Sequence, residues 1–122
     1  MKAPLGTFVH ARSGDKGGDA NLGLWVSHTA PIAGRACRGH EYDARVAWLL
    51  DLVTPDRVRD LLPEAADLEV EVFALPNLGG VNVILPGLLG RGVAASTRFD
   101  PQAKGLGEWA RSRHVEIPEE LL

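Results

Sequence analysis

The residues best equipped for chemistry are concentrated in one stretch, Arg12-Ser13-Gly14-Asp15-Lys16-Gly17-Gly18-Asp19-Ala20-Asn21-Leu22-Gly23. Arg12, Asp15, Lys16, Asp19 and Asn21 set cations, carboxylates and an amide among four glycines. Glycine gives up side-chain burial and costs backbone entropy, so this density implies unusual backbone angles or close approach to another group. Successive N–H groups in a glycine-rich loop can form an anion-binding nest. Arg12 and Lys16 could add charge-assisted hydrogen bonds to a carboxylate or phosphate. The stretch therefore reads as a loop with a candidate ligand-binding set of Arg12, Ser13, Gly14, Asp15, Lys16, Gly17 and Asn21. The competing reading is a self-satisfied structural loop, with Asp15 bonded to backbone N–H groups and Arg12 paired to Asp19.

Two nucleotide motifs are excluded. Gly14-Asp15-Lys16-Gly17 lacks the Walker A spacing and the Ser or Thr that follows its lysine. A strand rather than a helix follows the stretch, unlike the dinucleotide fingerprint. His10, His28, His40 and His114 include no pair at the i, i+4 spacing of a helical zinc site, and Cys37 is the only cysteine. Neither a metal site nor a cofactor is expected. For general acid–base work the candidates are His10, placed at a strand end just before the loop, with Lys16 and Asp15. Ser13 lacks the G-x-S-x-G context of a nucleophile elbow. Cys37 lies between Arg35 and Arg38, which could lower its pKa; a small, partly buried loop thiol is the simpler reading. Glu69 and Glu71 are explained as the wet face of a strand.

The elements that must position these groups follow from hydrophobic periodicity. Residues 5–11 predict a short strand before the loop, and residues 21–28 a second one. In the latter, Leu22, Leu24 and Val26 alternate onto one face and Trp25 onto the other. A helix is predicted from about Glu41 to Val53, with Tyr42, Val46, Leu49, Leu50 and Val53 on one stripe and Asp43, Arg45 and Asp51 off it. Thr54 caps a second short helix that starts at Pro55 and stops at Pro63. Residues 68–75 alternate as the clearest strand. Leu68, Val70, Val72 and Ala74 face a core; Glu69 and Glu71 face water, and that wet face turns apolar at Phe73 and Leu75. The apolar run Val81 to Leu89 predicts a helix ended or kinked by Pro86. A last strand over 94–99 and a helix starting at Asp100-Pro101 complete the chain. One helical layer on a largely antiparallel sheet, an α+β two-layer sandwich, accommodates this order.

The chain of 122 residues is 45% hydrophobic and 24% charged, as expected of one globular domain. A formal net charge of -3 argues against a nucleic-acid partner. No apolar run is long enough to cross a bilayer, so no membrane partner is expected. The first residues hold no signal-peptide core, and a cytoplasmic location is expected.

At Arg12-Ser13-Gly14-Asp15-Lys16-Gly17, followed by Asn21-Leu22-Gly23, the sequence resembles the small C-terminal ferredoxin-fold domain of acyclic terpene utilisation AtuA-like proteins. A second block agrees: Leu75-Pro76-Asn77-Leu78, Val81-Asn82, then Gly87, Leu89 and Gly90. A third comprises Asp100, Lys104, Leu106 and Gly107. Gly18 stands where the family usually has asparagine, and Pro86 and Arg91 interrupt the second block; the large N-terminal domain of the long members is expected to be absent. The resemblance implies a ferredoxin-like fold over residues 1–122. It also implies a setting in acyl-CoA or terpenoid-type catabolism.

Three functional expectations result. The first is an accessory domain that binds an acyl-CoA, another anionic small molecule or a separate large-domain AtuA-like subunit. It would use residues 12–23 with Asn77, Asn82 and Arg91. The second is an enzyme in its own right, a lyase or hydrolase acting on an acyl-CoA, with Lys16 or His10 as base and Arg12 holding the oxyanion. The third is a structural oligomerisation module built on Trp25 and Leu121-Leu122. A homo-oligomer is compatible with each.

Overall fold

The computed structural model describes residues 1–87 and 105–122, apart from the side chains of Asp15, Lys16 and Glu64. A short strand, β1 (Lys2–Pro4), leads through a 3-10 turn at Leu5–Thr7 into a hairpin of β2 (Val9–Lys16) and β3 (Asp19–Val26). Helices α1 (Gly39–Leu52) and α2 (Pro55–Leu61) precede a second hairpin, β4 (Glu71–Leu75) and β5 (Gly80–Leu85). Helix α3 (Leu106–Ser112) and β6 (His114–Glu116) follow. The two hairpins join through β3 and β5 into an antiparallel sheet of order β2-β3-β5-β4, while β1 pairs with β6 apart from it.

Alternation decides which face is buried. Leu22, Leu24 and Val26 of β3 and Val81, Val83 and Leu85 of β5 are all at most 4% exposed and lie under the helices. Each such side chain stabilises the fold by roughly 1.5–3 kcal/mol when removed from water. The result is an α+β two-layer sandwich whose other sheet face carries no helix among the described residues. Among the described residues no helix is long and apolar enough to cross a membrane.

Three local expectations are corrected. The stretch 12–23 is not a loop: β2 and β3 pair continuously from Val9↔Val26 to Lys16↔Asp19, and only Gly17–Gly18 turn. Both glycines have positive φ, 67° and 101°, as a type I′ hairpin turn requires. The run from Val81 is a strand, not a helix, up to Leu85. Its inward residues alternate with Asn82 and Ile84, and β-branched side chains favour the pleat. The first strand splits, with a 3-10 turn where 5–11 was expected to be extended. The expected strand 94–99 and the helix start at Asp100-Pro101 lie outside the described residues.

Helix α1 buries Leu49 as the stripe requires, but also Arg45, which was expected to face outward. The Arg45 guanidinium donates to the carbonyl oxygens of Leu121, Ala30 and Pro31, each at 2.9 Å. It also lies 4.4 Å from the Phe8 ring centroid. These partners satisfy its donors inside the protein, which a buried charge requires. Thr54 caps α2 as expected, its Oγ1 accepting the Arg57 N–H at 3.2 Å. At the start of α1, Glu41 accepts the Arg35 fork at 2.8 and 2.6 Å and the Arg38 N–H at 3.0 Å. These hydrogen bonds hold its carboxyl down at about 2, the Arg35 bond contributing most. The Cys37 thiol donates to the Arg38 carbonyl oxygen at 3.6 Å.

Candidate functional site

The sheet face opposite the described helices is built from residues that alternate with the buried ones. Register puts them in rows. His10, Trp25, Gly80 and Leu75 form one; Arg12, Gly23, Asn82 and Phe73 form the next; Gly14, Asn21, Ile84 and Glu71 form the third. Directly opposed residues share a face, so each row is a line of neighbouring side chains. Arg12 and Asn82 therefore stand two strand spacings apart, about 10 Å, with only Gly23 between them.

This face is unusually apolar for one open to water. Four large hydrophobic residues on or beside it are exposed: Trp25 at 37%, Phe73 at 50%, Leu75 at 40% and Leu78 at 70%. Trp25, Leu75 and Leu78 border a cleft of about 340 Å³, lined also by Gly23, Gly80 and Asn82 with Leu24 and Val81. Contiguous exposed apolar surface of this kind marks binding sites more often than chance packing.

Glycine makes room for the cleft. A Cβ on Gly80 would collide with the Leu24 carbonyl oxygen and come within 2.8 Å of the Trp25 Cβ. A Cβ on Gly23 would lie 4.0 Å from the Trp25 ring edge. The adjoining Gly79 has φ 68° and ends the 3-10 turn Pro76–Leu78, with Tyr42 packed where its side chain would be. Tyr42 in turn stacks on His28, ring centroids 4.3 Å apart.

The predicted residues divide by position. Arg12, Asn21 and Asn82 share the open face with the cleft. The Arg12 guanidinium makes no hydrogen bond or ion pair with a described residue, and Arg12 is exposed. It is not paired to Asp19, whose Oδ1 accepts the Gly87 N–H at 2.7 Å. His10 is exposed beside Trp25, ring centroids 5.7 Å apart. Ser13 belongs to the covered face, where its Oγ accepts the Gly107 N–H at 2.9 Å.

Gly14, Asp15 and Lys16 are strand residues opposite Asn21, Ala20 and Asp19, and Gly17 is in the turn. Their amides alternate between the ladder and the sheet edge, so successive N–H groups do not converge as a nest. Asn77 is exposed in the Pro76–Leu78 turn, at the Trp25 end of the sheet. Gly17–Gly18 close the opposite end, roughly 20 Å away along β3. Arg91 lies outside the described residues.

The apolar wall is not legible in the sequence. Alternation puts Trp25, Phe73 and Leu75 on outward faces, but bringing them to one face beside Leu78 depends on the β3–β5 pairing. Val81-Asn82-Val83-Ile84-Leu85 gives little signal of that pairing, being a short apolar run broken only by Asn82.

The family model described as "AtuA ferredoxin-like domain" matches residues 3–116 of the chain. Comparison with curated proteins and with solved structures gives no significant match.

Proposed function

The chain belongs to the AtuA ferredoxin-like domain family, and on that footing we propose that it is an accessory binding domain in acyl-CoA or terpenoid-type catabolism. Its ligand is an apolar acyl chain with an anionic end. The chain lies against Trp25, Leu75 and Leu78, and Arg12 with Asn82 receives the charged end. One observation carries this reading: a cleft of about 340 Å³ sits beside an arginine without a described partner, on one sheet face. Small-molecule sites combine apolar walls with a few orienting polar groups in this way. An exposed guanidinium gains charge-assisted hydrogen bonds from a carboxylate or phosphate. The resemblance to AtuA-like proteins supports the metabolic setting.

The test is a fluorescence titration with a branched medium-chain carboxylic acid and with its CoA thioester. A saturable change is expected in the native chain and not in Trp25→Phe, which leaves Trp48 and Trp109 as background. Arg12→Gln should weaken binding roughly 10- to 100-fold, the value of one hydrogen bond to a charged group. Binding that is indifferent to both variants refutes the site.

Leu78, at 70% exposure on the rim, favours a second reading in which a separate large-domain AtuA-like subunit docks on the same face. Co-purification of the two proteins, lost in Leu78→Glu, would establish it. Turnover by the isolated chain would instead give His10 or Lys16 a catalytic role.

A further inference from the structure

The outer edge of β4 presents a second surface, distinct from the cleft. The Val26 N–H donates to the Gly79 carbonyl oxygen at 3.0 Å, which fixes the phase of the ladder. Alternation then turns Val81, Val83 and Leu85 toward β3, and Gly80, Asn82 and Ile84 toward β4. Their β4 partners Leu75, Phe73 and Glu71 turn inward, so Val72 and Ala74 direct their N–H and C=O groups off the sheet. Among the described residues β4 pairs with β5 alone. Ala74 is exposed although it lies on the helix side, and Phe73 is half exposed.

Natural sheets guard such an edge with lysine, proline or a bulge. Glu71-Val72-Phe73-Ala74-Leu75 contains no lysine or proline and pairs without a bulge. The opposite edge differs: β2 carries His10, Arg12 and Lys16, and α3 packs beneath it.

We propose that β4 is the seam of a homodimer, in which two copies pair it antiparallel about a two-fold axis at Phe73, giving one eight-stranded sheet. The strand is complementary to itself in that register. Val72 falls opposite Ala74 of the second copy, and the outward groups of both exchange four backbone hydrogen bonds. Phe73 meets Phe73 in a cross-strand aromatic pair. Glu71 falls opposite Leu75, so the acids stay apart. An axis at Val72 or Ala74 pairs only three residues, and an axis at Glu71 sets acid against acid. Identical surfaces meeting about a two-fold axis form a closed dimer, not a filament. The prediction stands whether or not the cleft binds an acyl ligand.

The test is mass by sedimentation and light scattering at submillimolar concentration, where the expected mass is twice 13.1 kDa. Ala74→Pro removes an N–H that points away from β5, so it should leave the fold, read by circular dichroism, while weakening the dimer roughly tenfold or more. Should that variant fail to fold, crosslinking decides. In a Cys37→Ser background, Phe73→Cys should form an intermolecular disulfide on mild oxidation, because the axis sets the two cysteines opposite each other at about 4.5 Å between Cα atoms. Glu71→Cys should not. A monomer at submillimolar concentration, a dimer indifferent to Ala74→Pro, or crosslinking equal at positions 71 and 73 overturns the proposal. A monomer would leave the edge to a strand of another protein.

Discussion

Replacing Arg45 by methionine should destabilise the protein by about 3 kcal/mol, and the contributions can be followed atom by atom. Arg45 is fully buried and gives hydrogen bonds to three carbonyl oxygens. Methionine keeps most of the stem's volume but no donor. The Leu121 oxygen, inside the protein, would stay unsatisfied at a cost of roughly 1–3 kcal/mol. Ala30 and Pro31 lie nearer the surface, and their oxygens would regain water, losing about 0.5 kcal/mol each. Losing the cation over Phe8 adds about 1–2 kcal/mol. Against these stands the dehydration of the guanidinium, which the variant avoids. A net loss of about 3 kcal/mol should lower the midpoint of thermal unfolding by roughly 10 °C in a domain of this size. Arg45→Lys should lie between, since an ammonium cannot reproduce the planar fork. Denaturant and thermal melts measure both, and limited proteolysis should show earlier cutting after Val115 as the C-terminal turn loosens. A methionine variant as stable as the parent, the outcome known for some buried charges, would refute the reasoning.

The acid limb of stability should depend on Glu41. Its folded pKa is depressed from 4.5 to about 2, so its contribution is complete above 4.5 and is lost as pH falls toward 2. Glu41→Gln should flatten unfolding free energy against pH in that window and nowhere else. Gly79→Ala should cost about 2 kcal/mol or more in urea melts, from positive φ and the collision with the Tyr42 hydroxyl.

Local chemistry made some elements readable. Thr54-Pro55 announces α2 because cap and first-turn proline are satisfied within four residues. The β3 face was readable from Leu22, Leu24 and Val26, since alternation is a property of the strand itself. The β2–β3 hairpin was hidden because its outward positions are arginine, glycine and asparagine, which in sequence look like loop. Val81 to Leu85 was ambiguous as a short apolar run, and only pairing with β3 selects the pleat. Arg45 could not be read at all: its acceptors come from residues 30, 31 and 121, far from it in sequence. The cleft shares that difficulty, because its residues come from two hairpins that never touch locally.

That divided origin has a dynamic consequence. Gly23 and Trp25 come from the first hairpin; Leu75, Leu78, Gly80 and Asn82 come from the second hairpin and its turn. The cleft exists only while the β3–β5 seam is closed, and either hairpin alone presents half of it. Any occupant bound across both halves holds the seam shut by mass action. Occupancy should therefore be legible as slower hydrogen exchange at Leu22, Leu24, Val81 and Val83, whose amides bridge the β3–β5 seam.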